Sequence, residues 1–247
     1  MKAAATDQLR LLDLQAVDLS IDQLGHRRRT LGEHAEIEKT AASLAELRAE
    51  LAKAESEVEG YDRKIRTLET EVEQVRARAD RDKQRMTSGA VGAAKELERL
   101  QHEVTTLAAR QSDLEDDELA LMEERETADA ARSEVQSRFD AASSALATLE
   151  LRRDGIEAEI DADIAARTAE RGPLAATLPE DLRALYERLR IPNAGIGAAA
   201  LRARKCGGCR IELYGTELAA ARAADEDEVL RCEECGRILI RTPESGL

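Results

Sequence analysis

The chain has 247 residues, 51 of them Asp or Glu against 37 Lys or Arg, for a net charge of −14, and it carries only four aromatic side chains. A compact globule of this length would bury large aromatic and β-branched residues. A chain that is 36% charged, with Ala and Leu dominating its apolar share, has instead the composition of long helices and coiled coils.

The N-terminal segment has no signal-peptide core, because Asp7, Arg10, Asp13, Asp18 and Asp22 interrupt it. The longest stretch free of Asp, Glu, Lys and Arg is residues 191–201, far short of the roughly 20 apolar residues a bilayer span requires. A cytoplasmic protein without membrane contact is expected. From Leu44 the apolar positions run Leu47, Leu51, Ala54, Val58, Tyr61, Ile65, Leu68, Val72, Val75 and Ala79, in alternating steps of three and four. This is a heptad seam, which faces one partner helix and imposes a left-handed supercoil. Followed backward, the register reaches Leu19, Ala16, Leu12 and Leu9, but Thr40, Glu33, Thr30, His26 and Gln23 weaken it. A second stripe of Leu14, Val17, Ile21, Leu24, Leu31 and Ala35 runs beside it. The buried face should therefore rotate there and meet the C-terminal part of the chain. Residues 26–29, His-Arg-Arg-Arg, are an exposed basic turn of helix at the weakened seam.

Two Gly and a Ser at residues 87–93 break the pattern and predict the hairpin turn, since Gly costs roughly 1 kcal/mol inside a helix relative to Ala. The heptads resume at Leu97, Leu100, Val104 and Leu107 and hold one register through Leu114, Leu121, Val135, Phe139, Leu146 and Ile160. Gln111, Glu118, Arg125 and Arg132 fall on one seam column, where polar residues lower stability and specify register. Two long arms around a short turn favour antiparallel pairing within one chain and a monomer, with a parallel homodimer as the alternative. The second arm should fade at Gly172-Pro173. A short helix follows, with Leu182, Leu185, Tyr186 and Leu189 on one face, and then a Gly-containing linker.

Cys206-Gly-Gly-Cys209 and Cys232-Glu-Glu-Cys235 form C-x2-C-x22-C-x2-C. Each pair of intervening residues lets a tight turn aim two thiolates at one ion, and two such turns supply a closed tetrahedral sulfur shell. One structural Zn2+ on Cys206, Cys209, Cys232 and Cys235 is the reading, with rubredoxin-like iron as the alternative for the same four thiolates. Short β-prone runs at residues 198–205, 210–214, 229–231 and 238–240 flank the knuckles, and residues 216–222 read as a helical turn capped by Thr216. The fold class is thus mainly α: a long antiparallel coiled-coil hairpin over residues 1–172, a short helix and linker over 173–197, and a small C-terminal β zinc ribbon over 198–247.

On this order of features the chain resembles the bacterial C4-type zinc-ribbon family with a long N-terminal coiled coil, formerly a domain of unknown function. Residues 94–103 (AKELERLQHE) after the turn, residues 182–189 (LRALYERL) and the spaced cysteines carry the resemblance, which covers nearly the whole chain. It implies a non-enzymatic protein that binds nucleic acid, with some members tied to transcription regulators and to flagellar or secretion systems. Nothing in this sequence shows a link to flagella or secretion.

Two partner classes follow from the residues themselves. Arg202, Arg204, Lys205 and Arg210 crowd the first knuckle and Arg231, Arg237 and Arg241 flank the second, so the ribbon could contact the phosphates of RNA or DNA in a regulatory role. Yet residues 201–247 hold eight Lys and Arg against nine Asp and Glu, with Tyr214 as the one stacking platform. The hairpin turn is the second basic region, with seven cations against four acids over residues 76–100. The alternative is a protein-protein adaptor that uses the coiled coil to hold transcription or assembly factors. An enzyme is not expected: there is no phosphate-cradling Gly loop, nucleophile elbow or acid/base pair, and no small-molecule substrate is implied.

Overall fold

A computed structural model describes residues 1–89 and 91–247; Ala90, inside the predicted turn at 87–93, lies outside the described residues. In chain order the elements are α1 (Ala5–Arg29), α2 (Gly32–Thr87), α3 (Ala94–Ala176), α4 (Glu180–Arg190), a 3₁₀ turn (Ile191–Asn193), β1 (Ala198–Arg202), β2 (Lys205–Cys206), α5 (Gly215–Ala223), β3 (Leu230–Arg231) and β4 (Ile238–Ile240). The protein is mainly α, with a long helical hairpin and a small C-terminal ribbon. It divides into two compact units, one of Ala35–Glu150 and one of Met1–His34 with Leu151–Leu247.

In the first unit α2 and α3 run antiparallel. Glu50 pairs with Arg138, Asp62 with Arg125, Glu71 with Arg110, Arg78 with Glu103 and Arg85 with Glu96, the number falling on α3 as it rises on α2. Such exposed pairs are worth about 0–1 kcal/mol each, so they mark the register more than they stabilise it. The stabilising contact is the seam. Leu47, Val58, Val72 and Ala79 of α2 and Leu100, Leu107 and Leu114 of α3 are buried, and every one belongs to the predicted heptads. The polar column sits half-buried on that seam, where Arg125 Nε donates to Asp62 Oδ1 at 3.0 Å.

The second unit packs α1 and α4 onto the ribbon. Leu11 and Leu14 of α1, Leu182, Tyr186 and Leu189 of α4, and Ala198, Ile238 and Ile240 of the sheet form one core. The expected rotation of the buried face toward the C-terminal part is present: Leu14 and Val17 are buried while Leu9 and Leu19 are exposed. The first arm is also broken, which the seam pattern did not announce. α1 stops at Arg29, where Thr30 donates its amide and its hydroxyl to the His26 carbonyl, and α2 restarts at Gly32. The basic turn at residues 26–29 is the last turn of α1, where cations suit the helix dipole. Arg28 pairs there with Glu157, and its Nε lies 2.9 Å from Asp161 Oδ1 without hydrogen-bond alignment.

α3 does not fade at Gly172-Pro173; it continues through Pro173 to Ala176. Pro removes one backbone donor, but only the last turn follows it, and there Ala175 and then Leu178 are buried in the core. Arg171 is tied down as well. Its guanidinium donates to Asp18 at 2.6 Å and to Glu187. Asp18, fully buried on α1, also accepts the Tyr186 hydroxyl at 2.7 Å and faces Arg190 at 3.1 Å. Burial, reinforced by the Asp18 carboxylate, pushes the Tyr186 hydroxyl well above its ordinary pKa, so it remains a donor.

Candidate metal centre

Four short strands, among the described residues, build the ribbon in the order β2-β1-β4-β3, with β1 and β4 parallel and the outer pairs antiparallel. The run at residues 210–214 does not form a strand. Arg210 has φ +66°, a left-handed conformation that ends extended backbone, and only a bridge between Glu212 and Lys205 remains. Thr216 does not cap α5 either. Tyr214 occupies the cap position without a side-chain bond, and the helix starts at Gly215 with φ +50°.

The two knuckles are the same turn made twice. Arg210 N–H donates to the Cys206 carbonyl and Gly236 N–H to the Cys232 carbonyl, both at 2.8 Å, and both donors have positive φ. Glycine takes this conformation freely, whereas arginine does so at roughly 1–2 kcal/mol. Inside the first knuckle, a Cβ on Gly207 would stand 2.8 Å from the Ala200 carbonyl oxygen, so the approach of the turn to β1 requires glycine there.

The knuckles bring all four thiols together. Cys206 and Cys235 Sγ lie 3.9 Å apart, Cys209 and Cys232 Sγ 3.8 Å, and no pair of the four exceeds 4.8 Å. A tetrahedron with metal–sulfur bonds near 2.3 Å has edges of about 3.8 Å, so the residues fit one zinc ion. Burial pushes the Cys206 thiol up and the Cys232 thiol to about 12. For Cys235 burial acts the same way, but the Arg237 amide and side chain outweigh it and bring the thiol down to about 7. Bound zinc would keep all four as thiolates and fold the ribbon around them.

The basic residues flanking the knuckles are placed differently from one another. Arg237 donates to the Ile196 and Asn193 carbonyls, and Arg241 to the carbonyls of Ala224, Asp225, Glu226 and Glu228. Both are internal clamps. Arg231 donates to the Gly236 carbonyl, Arg202 pairs with Glu244 at 3.1 Å, and Arg204 lies 3.8 Å from Glu212. Lys205 and Arg210 are exposed and have no carboxylate partner among the described residues. Glu212, bridged to the Lys205 backbone, accepts the hydroxyl of Tyr214, which is 68% exposed.

Sequence reasoning missed the residues that hold the ribbon to α1. Gln15 accepts the Gly197 and Ala198 amides and donates to the Gly195 carbonyl, while Gln8 donates to the Ala3 and Glu226 carbonyls. Met1 and Ala3 complete the joint through backbone bonds to Val229 and Asp227. The available signal was the spacing: Gln8, Leu11, Gln15 and Asp18 recur on the same face of α1, so polar groups at those steps had to find partners in a buried surface.

Residues 14–193 match the CT398-like coiled coil hairpin domain and residues 205–239 match the C4-type zinc ribbon domain. The uncharacterized protein Rv2229c of Mycobacterium tuberculosis is 38% identical over 241 residues, which cover 98% of both chains. A solved structure from Mycobacterium smegmatis aligns with a TM-score of 0.86 at 36% identity, over 98% of this chain and 100% of that one. CT398 from Chlamydia trachomatis shares the fold, with a TM-score of 0.66 at 20% identity over 96% of this chain and 98% of that one. Cys206, Cys209, Cys232 and Cys235 thus form the C4 site of a zinc ribbon that holds one structural Zn2+.

Proposed function

We propose that this chain, which belongs to the CT398-like coiled coil hairpin family and ends in a C4-type zinc ribbon, is a non-enzymatic adaptor that binds a protein partner along its coiled coil. One observation carries this reading. Leu119 is 60% and Met122 44% exposed, one helical turn apart on α3, in a stretch (residues 113–126) holding eight acids and a single base, Arg125. Adjacent exposed apolar groups in an acidic field are complementary to an amphipathic helix whose Lys and Arg flank its apolar face. Charge sets the approach and the apolar contact sets the lifetime.

Nucleic-acid binding by the ribbon is the second reading, favoured by Lys205 and Arg210 beside the exposed Tyr214. It is the weaker one, because Arg237 and Arg241 are committed to carbonyls and Arg202, Arg204 and Arg231 already have partners.

Crosslinking with mass spectrometry in the native host tests the adaptor reading. The expected result is a protein crosslinked near residues 115–126 through a Lys- and Arg-rich helix, lost in a Leu119→Glu, Met122→Glu variant. Crosslinks to nucleic acid alone, or protein crosslinks that survive the variant, would remove it.

A further inference from the structure

The second basic region is not a diffuse patch. Arg78, Arg81 and Arg85 of α2, at steps of three and four, stand with Arg99 of α3 around a cleft of about 610 Å³ whose other lining residues are Asp82, Leu100 and Glu103. Four guanidinium groups face two carboxylates. Arg78 donates through one terminal nitrogen to Glu103 at 2.6 Å, and Arg85 has one terminal nitrogen 3.9 Å from Asp82 and the other 3.7 Å from Glu96. Arg81 bonds only through Nε, to its own helix at the Ala77 carbonyl, and Arg99 has no partner among the described residues. Leu100, 3% exposed, is the one apolar residue lining the cleft.

We infer that this cleft binds a phosphate group. A carboxylate has two oxygens and satisfies one guanidinium fork, whereas a phosphate turns its oxygens in several directions and accepts from several forks at once. Even with Glu96 counted beside Asp82 and Glu103, four guanidinium groups leave net positive charge at the cleft. The phosphate comes either from a nucleic-acid backbone or from a small free phosphate compound, and the chemistry is common to both. The site is separate from the ribbon cations and does not rest on the adaptor reading, since Leu119 and Met122 do not line it.

The test uses the full-length, zinc-loaded protein with two probes: a short fluorescent oligonucleotide followed by anisotropy at several salt concentrations, and inorganic pyrophosphate followed by phosphorus NMR. The variant is Arg81→Gln with Arg99→Gln, chosen because neither side chain holds an ion pair; unchanged helicity and melting confirm that it folds. Oligonucleotide affinity is expected to fall by about tenfold or more, and the dependence of log affinity on log salt to flatten by about one to two counterions. A Lys205→Gln, Arg210→Gln variant should leave both unchanged. If pyrophosphate displaces the oligonucleotide and itself loses affinity in the Arg81/Arg99 variant, a small phosphate compound is the source and the site stands. Wild-type protein that binds neither probe at low salt, or a variant that binds both as wild type does, overturns the assignment.

Discussion

The two units of this protein are stabilised in opposite ways. In Ala35–Glu150, one thin seam between two antiparallel helices repeats the same kind of contact turn after turn, and its buried residues, such as Val58, Leu107 and Leu114, are spread along it rather than gathered in one core. In the unit that carries the ribbon, Leu11, Leu14, Leu182, Tyr186, Ile238 and Ile240 share one core, and Asp18, Gln8 and Gln15 are buried within its polar joints. The first is close to additive, because distant sites with no shared partner contribute independently. The second is cooperative, because one side chain such as Asp18 serves three elements at once.

Metal removal should divide the units most sharply. Structural zinc contributes on the order of 10 kcal/mol or more of folding free energy, so chelation or Cys232→Ser is expected to strip amide-exchange protection from β1 to β4 while residues 35–150 keep theirs. Ribbon amides that remain protected without zinc would break the contrast. Next in size is Asp18→Ala, which leaves the Tyr186 hydroxyl without its acceptor and takes from Arg171 and Arg190 one of the two carboxylates each contacts, the others being Glu187 and Asp22; it should cost about 2–4 kcal/mol in denaturant unfolding. A loss below about 1 kcal/mol would show that water replaces the carboxylate and that the joint is not cooperative.

Leu114→Ala, at a seam position 2% exposed, should cost about 2–3 kcal/mol, at the low end for a buried leucine because a narrow stripe can close around the gap. Combined with Val58→Ala, its effect should add within about 0.5 kcal/mol; strong coupling between the two would mean that the seam behaves as one core. The smallest effect has the opposite sign. Arg210→Gly relieves a left-handed arginine and should raise ribbon stability by about 1 kcal/mol, read as a higher melting temperature, while Gly236→Ala loses a comparable amount at the matching turn of the second knuckle.

The hairpin and the metal site were legible because each depends on sequence-local rules. A heptad needs only its period, so Leu47 through Ala79 and Leu100 through Leu114 declared their buried face residue by residue. C-x2-C twice over needs only the reach of two tight turns to converge on one ion. The break after Arg29 and the passage of α3 through Pro173 were not legible, because both follow from what packs against them from elsewhere in the chain: the sheet and α4 on α1, and Asp18 on Arg171. The arginines divided in the same way. Composition placed Arg202, Arg204, Lys205, Arg210, Arg231, Arg237 and Arg241 around the knuckles, but only the folded chain decided that Arg237 and Arg241 meet main-chain carbonyls while Lys205 and Arg210 stay exposed without a carboxylate partner among the described residues. Period and spacing are properties of the covalent chain and can be read along it. Which buried polar group meets which partner is set by distances between residues about 150 to 180 positions apart, as in Asp18 with Arg171 and Gln15 with Gly195, and exists only once the chain has closed on itself.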